Sequence, residues 1–476
     1  MSYIEGASRG QRILFPEALD EYIGEDNAVR FIDAYVEGLG IEELGFKQTA
    51  PKETGRPPYD PRDLLKLYIY GYLNRVRTSR MLERECGRNV ELMWLMRKLG
   101  PDFKTIADFR RENRQCFRGV FRQFVMLCKE VGLWGGEVVA VDGSKFKAVN
   151  SGQRNFNAKK LEPRLKEIDH KVERYLDEME RADQQEKPAQ RMTAAELKDK
   201  IEQLQERKGK YEELLEELKH SGEKQISLTD PDSRAMALTR KGEVSYNVQT
   251  AVDSKYHLIV AQDVTNEGLD NHQLFSMAQG AKEILGRDEI EVVADMGYYS
   301  HEELKKCEEA GVRAYVSKPI ISKNTARGLF GKEKFVYEPE SDCYVCPNRE
   351  RLTFRFESRE AKKKKFRYYW TLACLNCPIK ARCTSNKKFR RIKRWEHEGV
   401  AERVQQRVSA HSTVMKLRKQ LVEHPFGTIK FWNDQRHFLM RGLEKVKAEF
   451  SLSTLAYNIK RAINVVGVKA LIAALG

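Results

Sequence analysis

Apolar residues recur at helical spacing through roughly the first 136 positions, and the pattern then changes. DNAVRFIDAYVEGLG (26–40) and PRDLLKLYIYGYLNRV (61–76) place apolar residues every three or four positions, as helices with one buried stripe do. Pro61 suits the first turn of the second helix, with Asp60 as its N-cap. TIADFRRENRQCFRGVFRQFVMLCKEVGLW reads as one further helix opened by Thr105. From position 137 short runs of Val, Ile and Ala take over: EVVAVD, then EVSYNVQTAVD, HLIVAQDV, IEVVAD and VRAYVSK. These predict strands, with a hairpin at residues 253–255 and helices over about 271–285 and from about Ser300. Between the first and second strands, Leu161, Leu165, Ile168, Val172, Tyr175 and Met179 are spaced 4, 3, 4, 3, 4. Leu197, Ile201, Leu204, Tyr211, Leu215 and Leu218 keep that register, with Lys208 at the one polar seam position. Two heptad arms separated by a segment containing Pro188 predict an antiparallel helical hairpin. Residues 401–476 return to helix, and the apolar stretch from Leu452 can close over the sheet.

Two of the predicted strands lead into a carboxylate, Asp142 in EVVAVDGSK and Asp295 in IEVVADMGY. An ionised carboxylate at the end of a buried strand is costly unless it is paired or binds a metal. One sheet can bring two such ends together, and the order strand, long insert, strand, strand, helix, strand, helix, strand is that of a ribonuclease H-like core. The predicted fold class is therefore α/β: a ribonuclease H-like mixed sheet, an N-terminal helical domain, an inserted antiparallel helical hairpin and a small Cys-rich subdomain. That core needs a third carboxylate from a late helix, and Glu423 is the candidate, in a first helix of the last segment that Pro425 and Gly427 should kink or end. Asp, Asp and Glu offer hard oxygen ligands suited to Mg²⁺ or Mn²⁺, which can drive phosphoryl transfer. Lys145 and Lys147 follow Asp142 closely enough to meet a phosphate bound there.

Charge points the same way. The 476 residues carry a net charge of +15, and such a surplus favours a polyanion, nucleic acid before membrane. The surplus is uneven: residues 341–400 hold 17 Lys and Arg against 6 Asp and Glu, whereas residues 161–220 hold 13 against 17. The hairpin is thus expected to serve packing or assembly, and the basic stretch, where AKKKKFRYYW and KKFRRIKRW interleave cations with aromatics, to hold DNA. Arg75, Arg77, Arg80, Arg110, Arg111 and Arg114 recur on the early helices, as a solvated face or as part of a DNA end-binding surface. No apolar run approaches the ~20 residues that span a bilayer, and the N-terminus lacks the apolar core of a signal peptide. A reducing cytoplasm is the expectation, in which nine cysteines are thiols or metal ligands. Five of them, Cys343, Cys346, Cys374, Cys377 and Cys383, fall in two CxxC knuckles and one following position. The spacing suits zinc; an iron–sulfur cluster or buried thiols are the alternatives. The expected units are 1–136 (helical), 137–320 with 401–476 (core), 155–225 (hairpin) and 321–400 (Cys-rich).

GRPPYDPRDLLKLYIYGYLNRVRTSRMLERECGRNVELMWLM with TIADFRR resembles the N-terminal domain of bacterial insertion-sequence transposases. VDGSK, YNVQTAVD, VADMGYYS and VEHPFGTIK resemble the DDE catalytic core of the same proteins. The resemblance implies Asp142, Asp295 and Glu423 as a metal-binding triad, cleavage of the element's own ends, joining of the freed 3′-OH to target DNA, and a homodimer on DNA. The family's Tyr-x2-Arg-x3-Glu-x6-Lys signature falls on Lys416, Lys419, Glu423 and Lys430, so the tyrosine is absent and lysine replaces arginine unless Arg418 takes that role. The alternatives are a nuclease of the same fold that does not join strands and a non-catalytic DNA-binding relative.

Overall fold

The computed structural model describes residues 18–49, 57–183, 193–236, 243–319, 324–360 and 364–476; Pro188 and Lys362–Lys363 lie outside them. Among the described residues six α-helices precede the first strand: α1 (Ala28–Glu37), α2 (Pro61–Leu73), α3 (Ser79–Cys86), α4 (Val90–Leu95), α5 (Phe103–Glu112) and α6 (Phe117–Glu130). Asp60 caps α2 by accepting from the Arg62 amide, as its sequence suggests. The single helix expected from Thr105 is two helices, because Asp102 caps α5 with bonds from the amides of Lys104 and Thr105, and Asn113 ends it. The early arginines do not form one solvated face. Arg77 is buried against the carbonyls of Asp434 and His437 and the Glu449 carboxylate, and Arg110 lies over the Tyr68 ring.

The chain then alternates. Strand β1 (Val138–Lys147) and a short β2 (Asn155–Phe156) lead into helices α7 (Ala158–Asp183) and α8 (Ala194–Ser221). These two pack side by side through Leu161, Ile168, Leu197, Ile201 and Leu218. Lys208, the polar gap in the heptads, reaches across to Asp169 at 2.7 Å. Next come β3 (Ile226–Ser227), β4 (Arg234–Met236), β5 (Glu243–Asp253), β6 (Ile259–Thr265), α9 (Leu274–Leu285), β7 (Ile290–Ala294), α10 (His301–Glu309) and β8 (Val312–Val316). One mixed sheet results. β5 pairs antiparallel with β1 on one side and with β4 and β6 on the other; β1, β7 and β8 run parallel.

The cysteine-rich stretch is a second sheet rather than a set of loops. β9 (Val336–Glu338), β10 (Cys343–Val345), β11 (Arg351–Glu360) and β12 (Lys364–Trp370) form an antiparallel meander, and β13 (Ile392–Trp395) joins β12 after the short helix α11 (Lys380–Cys383). Tyr344, Leu352, Tyr369 and Ile392 bury its inner face. The chain closes with α12 (Glu398–Ala410), α13 (Ser412–Gly427), a π-helical turn (Thr428–Trp432), α14 (Leu443–Val466) and α15 (Val468–Ala473). Glu423 therefore lies in the second of these helices, and Pro425 is accommodated inside α13.

Helix α14 is buried on every side over residues 448–459 because it is clamped between α2 and α6 on one hand and β6 on the other. Its Asn458 donates to the Ile259 carbonyl at 2.8 Å and accepts from the Ile259 amide at 2.9 Å, so it acts as the next strand beyond β6. Apolar contacts run from α1 through α14 to β5 and β6 in a single cluster. Asn458→Ala leaves a buried amide and carbonyl unpaired and is expected to lower stability by about 2–4 kcal/mol; an unchanged urea midpoint would show that the clamp contributes nothing.

Candidate active site

Asp142 and Asp295 are neighbours by register. Val141 pairs with Ala294 across the parallel β1–β7 ladder, and each aspartate is the next residue. They differ locally. Asp142 stays within β1, while Asp295 leaves β7 and turns back to accept from the Gly297 amide at 2.7 Å. Leu421 and Val422 of α13 pack on Ala140 of β1 and Val293 of β7, which brings α13 across this end of the sheet. From α13 it is Arg418 that faces Asp142, at 3.7 Å. Glu423 points outward, 65% exposed, and pairs with Lys419 at 3.8 Å. Burial pushes the Asp142 carboxyl up to about 6, against the pull of Arg418, with Asp295 and Asp270 adding repulsion.

Two lysines complete this end. Lys430 leaves the π-turn and donates to the Ser144 hydroxyl at 2.6 Å and the Lys145 carbonyl at 2.9 Å, with its ammonium over the Phe146 ring. Burial brings its pKa down to about 8, opposed by the pull of Asp142. Lys145 is nearly buried and reaches Asp270 at 3.2 Å; burial lowers its pKa, and Asp270, Asp142 and Asp295 oppose that. Lys147 and Lys416 have exposed side chains, Lys147 using only its backbone to bond Arg436 and Phe438. The fold thus gathers Asp142, Asp295, Lys145, Arg418 and Lys430, and leaves Lys147, Lys416, Lys419 and Glu423 facing solvent.

Asp270 was not among the residues singled out in the sequence. Its Oδ1 accepts from Lys145, from Asn247 at 2.6 Å and from Gln249 at 2.9 Å, and Gln249 accepts in turn from the Tyr298 hydroxyl. Gly143 permits this approach, since a Cβ there would lie 2.4 Å from the Gln249 amide nitrogen and 3.0 Å from Asp270 Oδ1. A signal for it exists: Asn247 and Gln249 are amides in a strand buried on both faces, and buried amides need partners.

In the second sheet the Cys343 Sγ lies 3.2 Å from the Ser341 hydroxyl and 3.6 Å from Glu338. Cys346 sits in a tight turn closed by Arg349; Cys374 lies within a 3₁₀ turn (Leu372–Asn376), and Cys377 follows directly as its C-cap. Burial raises the Cys383 thiol pKa; Arg390 opposes this, and Cys374, Cys346 and Cys377 are near enough to raise it further. Among the described residues no group of three or more His, Cys, Asp or Glu side chains has the geometry of a metal centre, at these thiols or at the aspartates. The outer face of the sheet carries Arg391 amid Phe356, Tyr368, Trp370 and Phe389, with the Trp370 and Phe389 rings stacked at 5.1 Å.

Residues 17–112 match the family described as "Transposase domain (DUF772)", and residues 345–463 the one described as "Transposase DDE domain". Both are descriptions of transposase domains, and together they support an insertion-sequence transposase of the DDE type. No curated protein and no solved structure matches it. No described helix is long and apolar enough to cross a membrane.

Asp142→Asn removes a charge that folding holds at a disadvantage. Because the carboxyl pKa is raised in the fold, the penalty is absent below the ordinary value of 3.8, grows as pH rises and is complete above about 6. In chelator-treated protein at neutral pH the variant is expected to gain about 1–3 kcal/mol of stability. The gain should fade in acid, and equal urea midpoints at neutral pH would refute it.

Proposed function

We propose that this transposase cuts the ends of its own insertion sequence and joins the freed 3′-OH to target DNA, using Asp142 and Asp295 in a ribonuclease H-like core. The observation that carries the reading is the pair of aspartates that directly follow the last pair of the parallel β1–β7 ladder. The strand order supports it: three antiparallel strands, β6, β5 and β1, continue into two parallel ones, β7 and β8. The core comprises 137–320 and 401–476, preceded by the helical unit 1–136 and interrupted by the hairpin 155–225 and the basic sheet 321–400.

The donors suit a divalent cation. Both aspartates offer hard oxygens, and burial disfavours the ionised Asp142, a penalty that a bound cation would relieve. When bound, Mg²⁺ or Mn²⁺ supplies Lewis-acid stabilisation of the phosphate and a lowered pKa for water. The protein's own groups do the rest. Arg418, Lys145 and Lys430 lie beside the carboxylates and hold a phosphodiester against them. In cleavage a water oxygen bonds to phosphorus and the bond to the 3′ oxygen breaks, which leaves a 3′-OH and a 5′-phosphate. In joining, that hydroxyl attacks a target phosphodiester and displaces its 3′ oxygen. Glu423 is the proposed third carboxylate, and it completes the set only by exchanging Lys419 for the site.

The basic sheet holds DNA backbone, and the hairpin serves assembly of a homodimer on DNA in the cytoplasm. Cys346, Cys374, Cys377 and Cys383 are the soft donors zinc takes. Elemental analysis is expected to find about one zinc per chain, lost in Cys377→Ser and retained in Cys343→Ser; metal-free fresh protein would refute this.

Asp142→Asn and Asp295→Asn are each expected to reduce cleavage of element ends and strand transfer by at least about a thousandfold, as loss of a transition-state charge contact does, with end binding kept. Glu423→Gln tests the third position in the same assay. Cleavage without joining of pre-cut ends would make the protein a nuclease, and full activity in Asp142→Asn would overturn the assignment.

A further inference from the structure

The π-turn that carries Lys430 into the site presents two large rings outward. Phe431 is 68% exposed and Trp432 67% exposed, whereas Ile429 on the same turn is buried. Single exposed apolar side chains are ordinary; two adjacent aromatic rings, each leaving substantial apolar area in water, ask for a partner. π-Turns of this kind recur at functional sites. Here the turn aims neighbouring residues in opposite directions, Lys430 inward and the rings outward.

Their surroundings identify the partner's chemistry. The Arg436 guanidinium lies 6.0 Å from the Phe431 ring centre. Trp432 forms one side of an open cavity of about 300 Å³ whose other walls include His424, Tyr457, Lys460, Arg461 and Asn464. The Tyr457 hydroxyl is engaged, donating to the His257 carbonyl at 2.7 Å and bonded to His424 Nδ1 at 2.9 Å, which fixes its ring as a wall. The Arg461 Nε is fixed on the Tyr256 carbonyl at 2.7 Å. Lys460 and Asn464 are exposed at the rim. Aromatic walls, an amide and cations suit a flat, hydrogen-bonding ring that carries phosphate. An apolar peptide or a lipid tail would leave the cations and amide unused.

We propose that Phe431 and Trp432 wedge into DNA beside the scissile phosphodiester and that the Trp432 cavity takes up an unpaired base. The inference rests on the DNA-cleaving site proposed above, because Lys430 ties the turn to that site. Paired bases inside a duplex offer no ring face to the cavity, so the contact is made only where pairing is broken.

The test uses the full chain and two fluorescein-labelled probes, a duplex of arbitrary sequence and the same duplex with a short central mismatch. Anisotropy titrations of the wild type are expected to show about tenfold tighter binding to the mismatched probe, the size of a base-stacking contribution. Trp432→Ala and Phe431→Ala should each remove most of that preference while keeping affinity for the paired duplex. Trp432→Phe, which retains a ring, should keep part of the preference and guards against loss of folding in the alanine variants. Asp142→Asn should keep the preference in full, so failure of the catalytic reading would show in a cleavage assay without touching this result. No preference in the wild type, an unchanged preference in both alanine variants, or equal losses on the two probes would overturn the proposal.

Discussion

The parallel pairing of β1 with β7 is the constraint on which the candidate site depends. Parallel neighbours cannot be joined by a tight turn, so the chain between Lys147 and Ile290 must cross back to the starting edge before β7 can pair with β1. The chain uses that obligatory excursion to insert the helical hairpin, to lay β5 and β6 antiparallel on the far side of β1, and to cross back through α9. Because the pairing is parallel, the β1–β7 ladder runs out at one place, and the residue after its final pair on each strand is an aspartate: Asp295 beyond β7, and Asp142 within β1, which continues to Lys147. A shift of one residue in this ladder would turn one carboxylate to the opposite face. Packing of Leu421 and Val422 over Ala140 and Val293 fixes the register from outside.

Around that edge the protein answers negative charge with cations held by different means. Arg418 approaches from a helix, Lys145 from β1 itself, and Lys430 from a π-turn whose hydrogen bonds end on the backbone and hydroxyl of β1. Asp270 is built in more firmly than either strand-end aspartate, because two buried amides and a lysine converge on one of its oxygens. The same layout, cations among rigid polar partners, recurs on the second sheet in softer form. There Arg391 is surrounded by rings rather than carboxylates, so its charge remains available to an outside anion.

Much of this could be read in the chain. Asp142 and Asp295 stand out because Val and Ala runs predict buried strands and a charge at their margin is anomalous, although β1 runs on past Asp142 to Lys147, where the sequence suggested a strand end. The heptads of α7 and α8 were legible down to Lys208, whose polar interruption is matched by Asp169 on the opposite arm. Other features depend on contacts between distant segments. Asp270 follows a loop and resembles any helix-start aspartate until Asn247 and Gln249 are beside it. Arg77 and Arg110 look like a solvated face in the sequence, yet one reaches carbonyls more than 350 positions away and the other lies over a buried ring. Cys343 sits in a knuckle by spacing, and only the fold shows its Sγ beside the Ser341 hydroxyl. Glu423 keeps only part of its expected sequence neighbours, and an exposed lysine one turn earlier competes for it.

The junction between the first helices and the sheet has a mechanical consequence. Gly135 and Gly136 look like a swivel, but the buried Asp253 carboxylate accepts from both amides, at 3.1 and 2.9 Å, and Trp134 donates to the Val125 carbonyl. Helix α14 fills the remaining gap from the other side. A load applied to the early helices is therefore delivered to the strand ends without slack. Whatever these helices grip, its distance from Asp142 and Asp295 is set by the interior of the protein, as a caliper's opening is set by its frame.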